Sequence, residues 1–299
     1  MSEFLGTHQR NSWPAGLPQP SYRPASASVD VMLAQGHEAG CGGLLQASVL
    51  ARLSDLAYGK PGVLPTGYTD ISRQPTALQT LRLTPGSLWV APHHFRARAF
   101  SCLQGTALHY VIAFGGTDPK NITDDATDVG QALGFQPAQY DDARRIGVLL
   151  SAVPADIPIV LTGHSLGGGL ATEAAFYSGR PAVVFNAAGL HRDNMPKGAK
   201  PPQVDAYSVD GDPVTFVQTN MRIVLSWAMF AAAPGVAAAA TLLRGDSLGG
   251  AIPPAYGRQT HLSDPPVAGQ GRLDAVLDRH TITRVENDIR HAEFVLQCR

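Results

Sequence analysis

The sequence predicts a mixed α/β fold: a mostly parallel sheet covered on both faces by helices, with an antiparallel hairpin at one edge. Three observations predict it. Short β-branched or alternating apolar runs take turns with longer segments whose apolar residues recur at helical spacing. Two of the strand-like runs, Ala97–Leu103 and Ala107–Phe114, are joined by a tight Gln104-Gly105 turn. A third run, Ile157–Thr162, leads through a glycine-flanked serine directly into the small-residue helical segment Leu166–Ser178.

Taken in order, Gly43–Tyr58 has a core-facing helical stripe of Leu44, Leu45, Val49, Leu50, Leu53 and Leu56. A Pro/Gly break runs from Gly59 to Gly67. Ser87–Val90 reads as a strand, then come the two strands of the hairpin, the second ending at Gly115-Gly116-Thr117. Ala138–Leu150 is a helix, Ala182–Asn186 and Val204–Val209 are strands, and Thr281–Leu296 is a final amphipathic helix. Residues 1–30 form a Pro-rich N-terminal arm, and residues 31–299 one domain with an apolar insertion at 219–250. Within that insertion Ile223–Leu243 carries no charge, which meets the length criterion for a membrane span. Its alanine-rich composition, with Pro234-Gly235 in the middle, instead predicts a helical hairpin that roofs a pocket and meets a lipid surface.

Composition excludes several function classes. With 299 residues, a net charge of −1 and only 16% charged residues, there is no basic patch to hold a nucleic acid. Cys41, Cys102 and Cys298 have neither metal-ligand spacing nor a disulfide framework, although one pair could form in an oxidising compartment. His93-His94 has no third ligand at metal spacing and reads as surface loop. The first segment has no basic stretch ahead of an apolar core, so it is not a Sec signal. That predicts a protein made in the cytoplasm and, if exported, exported by a non-Sec route.

Gly163-His164-Ser165-Leu166-Gly167 fits G-x-S-x-G, the turn that presents a nucleophilic serine between a strand and a helix. In a chain with 31 glycines the bare motif is weak, and the strand before it and helix after it give it weight. A serine needs a base within hydrogen-bond reach and an acid to fix that base's tautomer. Downstream acids are Asp205, inside a predicted strand and so less suited, and Asp210 and Asp212 in the turn beyond it. Downstream histidines are His280, just ahead of the last helix, His261, in a polar Pro-bounded loop, and His291, on the surface of that helix. His164 reads as packing of the turn, its side chain directed away from the serine oxygen.

The pieces V-I-A-F-G-G-T-D-P (Val111–Pro119), I-V-L-T-G-H-S-L-G-G-G-L-A (Ile159–Ala171), V-F-N-A-A-G-L (Val184–Leu190), G-D-P-V (Gly211–Val214) and H-T-I-T-R-V (His280–Val285) together resemble the class 3 lipases of the α/β-hydrolase superfamily. The resemblance runs from about Gly43 to Leu296. It implies an α/β-hydrolase fold and a triad of Ser165, Asp212 and His280. It also implies an oxyanion hole made by Thr117 and the Leu166 N–H. Gly115 departs from it, standing where members have arginine.

The expected activity is hydrolysis of lipid carboxylic esters, of lipase or phospholipase A type, through an acyl-enzyme and without cofactor or metal. The expected partners are a lipid or phospholipid substrate, the latter favoured, and a membrane surface touched peripherally. By analogy with bacterial effectors delivered by contact-dependent secretion, a delivery or immunity protein would be a further partner, of unknown identity. The rival readings are a carboxylesterase acting on short soluble esters and a protein that perturbs membranes through residues 223–243.

Overall fold

The computed structural model describes residues 47–59, 61–116, 137–190, 195–196, 198, 200–210, 212, 254–262 and 281–297. Helix α1 (Ala47–Leu56) precedes strand β1 (Tyr68–Asp70) and the short helices α2 (Pro75–Gln79) and α3 (Pro85–Leu88). Strand β2 (Trp89–Val90), a single 3₁₀ turn (Ala91–His93) and the long strands β3 (Phe95–Gln104) and β4 (Ala107–Phe114) complete the first half. Then come α4 (Pro137–Ser151), β5 (Ile159–His164), α5 (Leu166–Ser178), β6 (Ala182–Phe185), β7 (Val204–Val209), β8 (Arg258–Leu262) and α6 (Ile282–Gln297). Residues 117–136, 213–253 and 263–280 lie outside the described residues, and with them the expectation for the 223–243 segment. Among the described residues no helix is long and apolar enough to cross a membrane.

The sheet runs in the order β1-β3-β4-β5-β6-β7-β8, with β2 paired to β3. β1, β2 and β4 are antiparallel to β3, whereas β4 through β8 are parallel. This is the mostly parallel sheet with an antiparallel hairpin that the alternation predicts. Side chains along β4 alternate between the two faces. Tyr110, Ile112 and Phe114 join a cluster with α2, α3, α4 and α5. Val111 and Ala113 join a second cluster with α1 and α6 through Leu50, Leu53, Val285 and Ile289. Both faces are therefore covered, and the core lies in two layers on either side of the strands. Cys102, buried on the α1–α6 side of β3, is disulfide-bonded. So one pair does form, as the sequence allows.

α5 is buried almost all round, because it sits between the sheet and α4. Its small residues let the neighbours close in. A Cβ at Gly147 of α4 would stand 2.7 Å from the Ala174 carbonyl oxygen, so the two helices touch there backbone to backbone.

Three expectations need correction. Ser87–Val90 is not one strand: a capping box between Thr84 and Ser87 starts α3 at Pro85, and only Trp89–Val90 is left to pair. His261 is not in a loop but in β8, which is polar except for Leu262 and is the last strand of the sheet among the described residues. His93 is not simply surface loop. Its Nδ1 lies 2.6 Å from Asp142 Oδ2 and its carbonyl accepts from Gln139 Nε2, which ties the 3₁₀ turn to α4.

Candidate functional site

Ser165 occupies the tight turn between β5 and α5 with φ +56° and ψ −127°, a backbone conformation that L-residues rarely adopt. Strain of this kind persists only where the surroundings over-determine it, and here four main-chain hydrogen bonds do. The Ser165 N–H donates to the Phe185 carbonyl at 3.0 Å, which anchors the turn to β6. The Ser165 carbonyl accepts from Gly168 and Ala188 at 3.0 Å each and from Gly169 at 3.4 Å.

The flanking glycines have their cause in the same geometry. A Cβ on Gly163 would stand 2.1 Å from the Gly167 carbonyl oxygen, and one on Gly167 would stand 2.2 Å from that of Phe114. Neither contact can be relieved by rotating a side chain, so both positions exclude anything larger than glycine. Leu166 is the first residue of α5 and is buried. The opening N–H groups of a helix have no partner inside it, and the partial positive charge there favours a developing anion.

His164 is buried. Its Nδ1 lies 2.8 Å from the Tyr58 hydroxyl, which also donates to the His164 carbonyl at 3.2 Å. Tyr58 lies just past the C-terminus of α1, and its own carbonyl accepts from Arg96 Nη1 at 2.7 Å. These groups enclose the end of β4: a Cβ on Gly116 would stand 2.7 Å from the Tyr58 hydroxyl, and one on Gly115 would stand 2.6 Å from both the Ala57 carbonyl oxygen and Arg96 Cγ. Gly115 therefore has a steric cause. The stem of Arg96, reaching across from β3, fills the space that a larger side chain at this position would need. Thr117, the next residue but one, lies outside the described residues.

On the acid side, Asp212 is fully buried just beyond β7, and its N–H donates to the Val209 carbonyl at 3.0 Å. Asp210 is exposed, and its N–H is engaged by the Leu262 carbonyl of β8 at 2.9 Å. Asp205 is buried deeper in β7 and ion-paired with Arg258 at 2.7 Å. His261 is held by Ser208 at 3.1 Å, with Asp210 3.8 Å away. β8 is three strands from β5, about 14 Å at ordinary strand spacing. His280 lies outside the described residues. Its neighbour Thr281 caps the start of α6, the Thr281 hydroxyl accepting from the Arg284 N–H at 3.2 Å. His291 is exposed on that helix.

Two residues that shape this region escape a reading of the sequence: Tyr58, the last residue of a predicted helical segment, and Asn186, the last residue of a predicted strand. Asn186 has φ +40°, and its Oδ1 accepts from the Val209 N–H at 3.0 Å. Their contacts reach across 106 and 23 residues of chain, which no local pattern announces. Among the described residues no group of three His, Cys, Asp or Glu side chains could hold a metal ion.

Residues 49–268, nearly three quarters of the chain, match the family described as Tle-like phospholipase domain. The chain belongs to the Tle-like phospholipase family. The matched span of this phospholipase-like domain includes Ser165, Leu166, Asp212 and Thr117, and ends before His280. The domain is also similar to the extracellular phospholipase A1 of Serratia liquefaciens. The two are 37% identical over 141 residues, which is 47% of this chain and 41% of that protein. The phospholipase-like chain thus matches less than half the length of this curated relative.

Proposed function

We propose that the protein is a serine-dependent phospholipase of A type, with an α/β-hydrolase fold of the class 3 lipase kind, that hydrolyses a carboxylic ester of a phospholipid. The observation that carries the reading is the strained turn at Ser165, on the helix-start side of a parallel sheet, in a chain of a phospholipase family. The name of the Serratia relative supports the A-type assignment.

In this reading Ser165 Oγ attacks the ester carbonyl carbon and gives its proton to the imidazole of His280. Asp212 orients that imidazole and stabilises its charged form. The developing oxyanion is met by the Leu166 N–H and Thr117. The ester C–O bond breaks, and the leaving alcohol takes the proton from His280. Water, deprotonated by the same base, then releases the fatty acid and restores Ser165. The support for Asp212 over Asp210 is its burial beside the β7 end, while Asp210 faces solvent. The support for His280 is its place directly ahead of the capped start of α6. A membrane surface is the proposed site of action, because the substrate resides there.

The test is covalent labelling. A fluorophosphonate reacts with an activated serine oxygen and not with an ordinary one. Peptide mapping should find the adduct on Ser165, with labelling suppressed by His280→Ala and retained by His261→Ala. An adduct on another serine, or labelling lost only with His261→Ala, would refute the assignment.

A further inference from the structure

Asn186 makes a side-chain hydrogen bond where a main-chain one is expected. β6 and β7 are parallel, with Phe185 opposite Tyr207. The Asn186 N–H continues the ladder by donating to the Tyr207 carbonyl at 2.8 Å. In a parallel ladder the next bond would run from the Val209 N–H to the main-chain carbonyl of residue 186. Here that N–H goes to Asn186 Oδ1 instead, at 3.0 Å. The cause is the backbone of Asn186, whose φ of +40° turns the chain out of the strand. Among non-glycine residues, asparagine and aspartate tolerate that conformation best.

The turn has a consequence for the serine. Two residues on, the Ala188 N–H donates to the Ser165 carbonyl at 3.0 Å. Ala187 packs so closely on α5 that a Cβ on Gly168 would stand 2.5 Å from the Ala187 Cβ. The side chain has a consequence for the acid. Val209 is the last residue of β7, and its carbonyl accepts the Asp212 N–H. The Ser165 amide to Phe185, the Val209 amide to Asn186 Oδ1 and the Asp212 amide to Val209, each at 3.0 Å, form an unbroken path between the two turns.

We infer that Asn186 is a positioning residue that fixes the acid Asp212 relative to the nucleophile Ser165. It acts through Val209 and does not touch substrate, and the inference rests on the catalytic reading above. Asn186, Val209 and Asp212 are all buried, so water cannot readily take over the bond that Asn186 makes. Glycine at this position would accept the positive φ but leave the Val209 N–H without its acceptor. Aspartate would accept the φ and keep the acceptor.

The experiment compares Asn186→Gly, Asn186→Asp and Ser165→Ala with the wild type on a short soluble ester such as p-nitrophenyl butyrate and on phospholipid vesicles. Active protein is counted by fluorophosphonate titration in the wild type and the Asn186 variants, and Ser165→Ala is matched to them by protein concentration and circular dichroism. Asn186→Gly should lower kcat roughly 10- to 100-fold while KM stays within about twofold, since a misplacement of about 1 Å in a catalytic group has effects of this size. It should also move the acid limb of the pH–kcat profile to lower pH, because a base less well supported by its carboxylate binds its proton less tightly. Asn186→Asp should recover at least half of that loss on a logarithmic scale. Should the glycine variant fail to fold, Asn186→Ser makes the same test with a side chain too short to reach the Val209 N–H. An unchanged kcat in Asn186→Gly overturns the inference, as does a loss that leaves the pH limb in place and that Asn186→Asp does not recover. Ser165→Ala separates this from the parent reading. Hydrolysis surviving in that variant removes the catalytic reading itself, whereas an inactive Ser165→Ala beside a fully active Asn186→Gly removes only the role of Asn186.

Discussion

Glu173, two turns into α5 from Ser165, should make the protein less stable as pH rises from about 4.5 to about 7. Its side chain is fully buried between α5 and α4. Oε1 is paired with Arg144 Nε at 3.0 Å, while Oε2 has no hydrogen-bond partner among the described residues. Burial therefore outweighs the arginine and pushes the carboxyl from 4.5 up to about 7. Between those two values the folded protein holds a proton that the unfolded chain has released. Stability consequently falls as pH rises across that window, and the loss is complete above about pH 7. A displacement of that size corresponds to about 3 kcal/mol, or roughly 5 °C in Tm for a chain of 299 residues. Other carboxyls contribute at more acidic pH. Asp70, for example, is held below its usual value by Ser72 and Arg98 against the opposing effect of burial, and contributes there with the opposite sign. The clean quantity is therefore the difference between wild type and Glu173→Gln. Chemical denaturation of both from pH 4 to pH 8.5 should show the glutamine variant gaining on the wild type progressively up to about 3 kcal/mol. Parallel curves would show that the carboxylate is ionised at its ordinary pH in the folded state. The account of the α4–α5 interface would then be wrong.

The geometry sets three further outcomes. Gly163→Ala, whose new methyl would meet the Gly167 carbonyl oxygen at 2.1 Å, should lower stability by about 1–3 kcal/mol and labelling of Ser165 by roughly 100-fold; near-normal values of both would mean that the turn is not built as described. Asp212→Asn should lower kcat by roughly 10⁴-fold with little change in melting, and Asp210→Asn should leave kcat within about threefold; the reverse pattern would move the acid to Asp210. Reduction with dithiothreitol should cost about 2–5 kcal/mol of stability through loss of the Cys102 disulfide. Peptide mapping of the oxidised protein then identifies whether Cys41 or Cys298 is the partner, and an unchanged melting profile would contradict a structural role for the bond.

How legible these features are in the sequence depends on whether their causes are local. Ala107–Phe114, Leu166–Ser178 and Val204–Val209 have the ends that their periodicity predicts, because each is specified by the faces it buries. Arg258–Leu262 is hidden because an edge strand has no need of an apolar pattern. Ser87–Val90 misleads because a two-residue capping signal at Thr84 and Ser87 takes Ser87 and Leu88 into a helix and leaves only Trp89 and Val90 to the strand. At the candidate site, the glycine requirement around Ser165 is written into five consecutive residues. The reason for it, contact with the ends of β4 and α5, is visible only in three dimensions. Asp210 and Asp212 look equivalent in a D-G-D turn until burial separates them. Tyr58 and Asn186 are set by distant partners, so their positions at the end of a helical segment and at a strand end carry no sign of what they hold.

The most direct test of the central claim is mass spectrometry of defined diacyl phospholipid vesicles incubated with wild-type protein or with Ser165→Ala, the two matched by circular dichroism. The account predicts free fatty acid and lysophospholipid in equal amounts from the wild type, and a rate reduced by several orders of magnitude in the variant. Comparable product from a correctly folded Ser165→Ala protein would contradict it.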